Sequence, residues 1–443
     1  MKRFALTIAL FAATMPFAAA PSPVLAAPSS AERRMADFVA SDAPRGEALL
    51  ERLVNQNSGT LNLEGVRAAG DMVRPEFEAL GFAVSWIDMA ETGRAGHLVA
   101  THRGNGRGKR ILLIGHLDTV FEPGNPFQTY RREGNRAIGP GVGDDKGGVV
   151  VIIQALRAMQ AAGTLRGADI MVVLTGDEER TGDPLPIARR DLIAAGEWAD
   201  VALEYENLAT SGEGETLAEY GTVARRSSGS WEIRTTGETG HSSGIFSERQ
   251  GYGAAYELVR ILDAFRRELP EANLTYNVGV MAGGTPASID AAGETVSATG
   301  KTNIIASTAI ARGDIRTLTV EQDERVRAAM RAIVGQHLPG TTATISFDES
   351  YPPMAPTPGN RALLERLNAV NRDLGLPVMA EYDPARRGAA DSSFVAALAD
   401  TMGGLGAAGG LAHADGEWID LESLPRQALR SAALISRLSR EPR

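Results

Sequence analysis

Cysteine is absent from all 443 residues, so no disulfide can form, and stability in an oxidising compartment has to come from the core and from any bound metal. Basic clusters are missing as well. The formal charge is −10, and no Lys/Arg run reaches the density that a phosphate backbone demands, which excludes a general nucleic-acid binder. Beyond the first residues no apolar run is long enough to cross a bilayer. Internal repeats and low-complexity tracts are absent, apart from an Ala/Gly-rich loop from Gly403 to Gly410. Histidine is scarce, with six in the chain. What remains is the composition of a soluble globular protein, 43% hydrophobic, with enough chain for one large or two ordinary domains.

The N-terminus has a different character. Met1-Lys2-Arg3 is basic, Phe4 to Ala20 is apolar and rich in alanine, and Val24-Leu25-Ala26 matches a small-residue cleavage site. Residues 1–26 therefore read as a secretory signal cut after Ala26, which predicts a secreted or periplasmic protein. Pro16 interrupts the apolar run and leaves it short for a membrane anchor, so no membrane association is expected once the signal is removed.

After a polar, helix-like entry from Ala31 to Leu53, buried-strand runs alternate with helical segments, the pattern of an α/β sheet covered on both faces. Arg110 to Gly115 and Ile170 to Thr175 are two such strands. Between them, Gly148 to Ala162 suits a helix packed on the sheet and capped by Gly163. Around Gly221 the pattern changes to alternating strands near Ser230–Arg234, Asn277–Met281 and Thr302–Ile315. Helical stretches at Gly253–Leu269 and Val320–Leu338 and a last strand at Thr341–Phe347 complete an α+β insertion with a roughly four-stranded sheet. Pro352-Pro353 marks the return. The expected organisation is a catalytic domain in two parts, 27–223 and 353–443, with an inserted domain at 224–352.

Both early strands end on chemistry. His116 and Asp118 follow the first, and Asp177, Glu178 and Glu179 follow the second, where ligands of open α/β sheets collect. With Asp144, Glu206 and His413, these make an ordered set of nitrogen and oxygen donors suited to divalent cations. A two-metal hydrolase site needs a bridging acid, terminal ligands for each ion, and an acid/base that binds neither. His116 can ligate while Asp118 accepts its other ring N–H. The glycines of Gly139-Pro140-Gly141-Val142-Gly143-Asp144-Asp145-Lys146-Gly147-Gly148 lack nucleotide-loop spacing. They fit better as close backbone approach around a bridging Asp144. One of Glu178-Glu179 can face a metal and its neighbour the attacking water.

GHLDTV, GPGVGDDKGG, TGDEE, EYEN and GLAHADGEWIDLESLP together resemble the successive motifs of the co-catalytic zinc peptidase family that holds carboxypeptidase G, aminoacylase, peptidase T and succinyl-diaminopimelate desuccinylase. The resemblance runs from Leu53 to the C-terminal helix and is closest to the carboxypeptidase G branch. It implies a zinc-exopeptidase-like mixed sheet flanked by helices, with the insertion serving as a lid that dimerises the protein. It also implies that Asp144 bridges two divalent cations, with His116 and Glu206 on one and Glu179 and His413 on the other; the donor set accepts zinc, cobalt or manganese, zinc being the first choice. Glu178 would be the general base, and the Asp144-Asp145 peptide would be cis. His241 matches the lid histidine that holds the substrate carbonyl, and Asn303 and Arg316 match positions that bind the substrate carboxylate. Arg387, ahead of Gly388 and Asp391, is a further candidate to face the substrate. One position departs: where the carboxypeptidase G pattern carries an arginine shortly before a proline, this chain has Tyr351, so that position does not imply glutamate as the released residue.

The reading is therefore a two-metal amidohydrolase that removes a residue with a free carboxylate from a peptide or N-acyl amino acid. Aminoacylase, dipeptidase and carbamoyl-type amidohydrolase activities use the same site. Two readings of other classes compete. One is a secreted binding protein that keeps the fold without catalysis, although it would have no need to retain Glu178 and all five ligands. The other is a two-metal phosphoesterase, expected to use more histidines than this chain offers.

Overall fold

The computed structural model describes residues 27–212, 217–290 and 293–443, and the expected secretory signal, 1–26, lies outside them. The chain opens with helices α1 (Ser30–Asn55) and α2 (Leu63–Glu78) and strands β1 (Ala83–Asp88), β2 (Gly96–His102) and β3 (Arg110–His116). Helix α3 (Lys146–Ala162), strand β4 (Asp169–Thr175), helix α4 (Arg190–Trp198) and strand β5 (Val201–Glu204) follow. The inserted unit contains β6 (Ser228–Gly237), α5 (Gly253–Glu268), β7 (Thr275–Tyr276), β8 (Val280–Gly284), β9 (Thr308–Arg316), α6 (Val320–Val334) and β10 (Thr341–Tyr351). The chain returns through α7 (Pro358–Leu374), β11 (Asp400–Met402) and α8 (Ser423–Leu438).

The main sheet has the order β1-β2-β4-β3-β5-β11. Strand β3 pairs in parallel with both β4 and β5, whereas β2 meets β1 and β4 antiparallel, so the sheet is mixed. The chain passes from β3 to β4 on one side and then to β5 on the other, which opens a crevice beyond the carboxyl ends of these three strands. Their burial explains the composition. Ile111, Leu113, Ile170 and Val172 enter one core with α1, α3 and α8, while Leu112, Ile114 and Val173 pack on Leu192 and Ala195 of α4. Helix α3 has almost no exposed residue, as expected of an apolar helix held between a sheet and two further helices. It begins at Lys146, two residues ahead of the sequence reading, and Gly163 ends it at φ 75°.

The inserted unit has its own core, with Trp231, Ile233, Leu258, Ile261, Phe265, Ile315 and Met330 inside. Its sheet has five strands, one more than the roughly four expected: β9 pairs antiparallel with β6 along one side and with both β7 and β8 along the other, and β10 closes the far side of β6. Residues 302–307, read as strand from their alternation, instead form a connection whose backbone bonds to the 240–242 turn. Two antiparallel crossings join the units: Arg225 and Met354 exchange backbone hydrogen bonds of 2.9 and 3.0 Å.

Candidate metal centre

The three parallel strands deliver the donors. His116 is the last residue of β3, Glu178 and Glu179 lie just beyond β4, and Glu206 lies two residues beyond β5. Asp144 precedes α3, and its peptide bond to Asp145 is cis. Residue His413 comes from a late loop in which both it and Leu411 adopt positive φ, 65° and 62°, an uncommon backbone for side chains of this size. These positions converge. His116 Nε2 stands 3.0 Å from Asp144 Oδ1, His413 Nε2 stands 3.1 Å from Asp144 Oδ2, and His413 Nε2 is 3.0 Å from Glu179 Oε2. Thus Asp144 offers one oxygen toward each histidine. Donor atoms of His116, Glu178 and Glu206 also lie within 4.8 Å of one another.

A second set of residues holds the donors in place. The Asp118 carboxylate accepts the backbone N–H of Glu178 at 3.0 Å, that of Glu179 at 3.1 Å, and the Thr60 hydroxyl at 2.7 Å. Its relation to His116 differs from expectation: ring Nδ1 is nearest the Asp118 carbonyl oxygen, 3.1 Å away, with the carboxylate at 3.5 Å. The carboxylate is occupied with the Glu178-Glu179 turn, which leaves the main-chain oxygen as the nearer acceptor for the ring N–H. Glu417, four residues after His413, accepts the backbone N–H groups of Gly141, Gly143 and Asp144 at 2.8, 2.8 and 2.9 Å. The glycines of that loop permit close approach, since a Cβ on Gly148 would meet the Tyr205 carbonyl oxygen at 2.0 Å.

Arginines occupy the other side. Arg225 is buried and bonds both Glu204 and Glu206, the latter at 2.8 Å, and Arg387 lies 3.6 Å from Glu206 while donating to the Asn207 carbonyl. Below the Glu178 turn, fully buried Arg189 hydrogen-bonds Asp177 at 2.6 Å and forms an ion pair with Asp391 at 2.9 Å. Sequence reading singled out neither Arg189, Arg225 nor Glu417 for the site. For the arginines no local signal exists, because their partners are distant in sequence; for Glu417 the signal is its place in the motif that carries His413.

The electrostatics show how crowded the site is. Burial, with the nearby Glu206 charge, pushes the Glu178 carboxyl well above its usual range. Burial lifts Glu206 to about 7 despite the opposing Arg225 charge. Hydrogen bonds to Asp144 and Glu179 raise His413 to about 10. For His116 burial acts downward, but its bonds to Asp118 and Asp144 outweigh it and hold the imidazole well above its ordinary value. Like charges this close cost several kcal/mol, about 4 for a pair 4 Å apart at an effective dielectric of 20. Protons on the histidines relieve part of that cost in the protein by itself.

Divalent cations fit the same arrangement. Two imidazole nitrogens and three carboxylates face a common centre, and Glu179 Oε1 is buried with no hydrogen-bond partner. Ligand atoms at tetrahedral angles around zinc stand roughly 3.3 Å apart, close to the observed separations. Asp144, Glu178, Glu206, Arg225, Arg387 and His413 line one cavity of about 200 Å³. Three other candidates lie elsewhere. His241 and Asn303 are exposed on the inserted unit, in adjoining turns where the Ser242 N–H donates to the Asn303 carbonyl at 2.9 Å. Arg316 pairs with Asp314 at 3.3 Å. None of the three lines the 200 Å³ cavity.

Comparison with known proteins agrees with this geometry. The family model described as Peptidase family M20/M25/M40 matches residues 112–437. Carboxypeptidase G2 of Pseudomonas sp. (strain RS-16) is 27% identical over 396 residues, 87% of each chain. A succinyl-diaminopimelate desuccinylase of Gluconobacter oxydans is 26% identical over 54% of this chain and 59% of its own. Among solved structures, a Staphylococcus aureus tripeptidase superposes with a TM-score of 0.65 at 18% identity, over 93% of this chain and 99% of that one. A dinuclear metal-binding peptidase of the M20 family from Bacillus subtilis gives 0.60 at 15% identity, over 90% and 98%. A mixed sheet ending on clustered donors, together with a family match across most of the chain, leads to one assignment: the protein belongs to the peptidase family M20/M25/M40 and is a metallopeptidase or amidohydrolase.

Proposed function

We propose that this enzyme hydrolyses an amide bond next to a free carboxylate, releasing the C-terminal residue of a short peptide or N-acyl amino acid. The observation that carries this reading is the division of work between adjacent carboxylates. Glu179 is engaged with His413 at 3.0 Å, whereas the Glu178 side chain has no hydrogen-bond partner among the described residues and faces the cavity shared with Asp144 and Glu206.

His116, Asp144 and Glu206 would hold one divalent cation and Asp144, Glu179 and His413 the other, with zinc the first choice. A bound pair supplies a polarised substrate carbonyl and a water acidic enough to ionise near neutrality. Glu178 takes the proton of the attacking water on its carboxylate and passes it to the leaving nitrogen. Arg387 faces the substrate from the cavity wall. His241, with Asn303 and Arg316, serves the carbonyl and carboxylate from the inserted unit, within one chain or from a second copy, so that unit, 224–352, acts as a lid on a body made of 27–223 and 353–443.

Self-association through the lid is part of the proposal. The outer edge carries Val280 and Met281 on β8, and Tyr256 and Val259 of α5 are about half exposed beside it. An unpaired edge next to apolar helix residues favours pairing with a second copy. No described helix is long and apolar enough to cross a membrane, and the leader supports secretion or a periplasmic site. The test is a panel of peptides and N-acyl amino acids ending in free carboxylate, pteroyl-glutamates included, against phosphoesters. Amide turnover that Glu178→Gln reduces by about 10³-fold with metal content retained supports the reading; phosphoester turnover, or near-normal Glu178→Gln activity, contradicts it.

A further inference from the structure

Tyr351 is the last residue of β10, and its hydroxyl is fully used. It donates to the Glu178 carbonyl oxygen at 2.7 Å and accepts from Arg189 Nη2 at 2.9 Å and from the Thr181 hydroxyl at 3.2 Å. One donation and two acceptances exhaust a phenol. The ring packs against Phe394, centroids 4.9 Å apart, and the Arg189 guanidinium stands 5.7 Å from its centre. Arg189 is itself immobilised by Asp177 and Asp391. Tyr351 does not line the cavity, and the departure from arginine at this position places a half-buried anchor under the active loop.

The consequence concerns Glu178. Its N–H is held by Asp118 from the body at 3.0 Å, and its C=O by Tyr351 from the returning strand of the inserted unit at 2.7 Å. With both sides of the residue fixed, and the Glu179 N–H also on Asp118, the backbone of the turn cannot rotate. That rotation would swing the Glu178 carboxylate off the cavity, and a displacement of about 1 Å can cost a hundredfold in rate. We propose that Tyr351 is a positioning residue for Glu178, joining the end of the inserted unit to the aim of the general base. This inference rests on the base role given to Glu178 above.

Tyr351→Phe keeps the ring and removes only the hydroxyl. The account expects kcat to fall about tenfold, with KM within twofold and the number of bound metal ions unchanged, measured on the panel substrate turned over fastest. Phe394→Leu is the control for structure: it removes the ring packed on Tyr351 but leaves the hydroxyl, so Tm should fall while kcat stays within about twofold. A Tyr351→Phe enzyme with kcat within twofold of the parent overturns the inference, as do losses of kcat that follow Tm equally in both variants. Should Tyr351→Phe not fold, Thr181→Val removes one of the hydroxyl's two donors. A drop in kcat at unchanged KM and metal content then supports the inference, and unchanged kcat overturns it. Glu178→Gln, run in parallel, separates the two levels: if it is inactive while Tyr351→Phe is normal, only the positioning role fails; if it is active, the base assignment fails and this inference with it.

Discussion

Asp144 has one carboxylate oxygen 3.0 Å from His116 and the other 3.1 Å from His413, and those contacts determine how the site exchanges protons for metal. His413 is raised to about 10 by its bonds to Asp144 and Glu179, and His116 is held above its ordinary value. At pH 7 His413 is protonated when no cation is bound, so metal uptake must release its proton. Affinity should therefore rise with pH until His413 has titrated near 10. Calorimetric zinc titration of chelator-treated protein in two buffers of different ionisation enthalpy should show release of about one proton or more; heats independent of buffer would contradict this. The two histidines could be picked out from sequence because each sits in a motif with acids nearby. Arg225 and Arg189 could not, since long-range ion pairs have no sequence period. Asp118 was identified, but its grip on the Glu178-Glu179 turn depends on two strand ends meeting in space.

At the scale of elements, the loop before α3 is the most constrained part of the site. Glu417 takes three of its N–H groups, and Gly148 lets the first turn of α3 press against Tyr205. Gly148→Ala puts a Cβ 2.0 Å from the Tyr205 carbonyl and 2.1 Å from Asp145 Oδ1, so backbone has to move. We expect a loss of about 1–3 kcal/mol in stability together with weaker metal binding, read by denaturant unfolding and metal competition. Unchanged values in both would show that the loop yields freely. Strands β3 and β4 were legible as apolar runs between polar turns because both faces are covered. The segment 302–307 misled because alternation also occurs in a connection, where backbone partners rather than sheet neighbours decide the conformation.

In the whole molecule, the two-faced core of the main sheet and the core of the inserted unit are joined by crossings at Arg225 and Tyr351–Met354, and both crossings touch the site, one through Glu206 and one through Glu178. The α/β sheet and the α+β insertion were readable from the order of elements, and the mixed character of the sheet only through the family resemblance; the contacts between units were not readable. If the exposed edge of that unit pairs with a second copy, Val259→Asp combined with Met281→Lys should shift a dimer to monomer in sedimentation, whereas a parent protein that is already monomeric would remove that role for the edge. The central claim is that residues nearly three hundred positions apart in sequence form one cage for two cations. Metal content per chain, determined on the purified protein and on Asp144→Asn after zinc loading and desalting, tests it most directly. The account predicts two equivalents in the parent and loss of both in the variant; a parent that binds none, or an Asp144→Asn protein that keeps two, would contradict it.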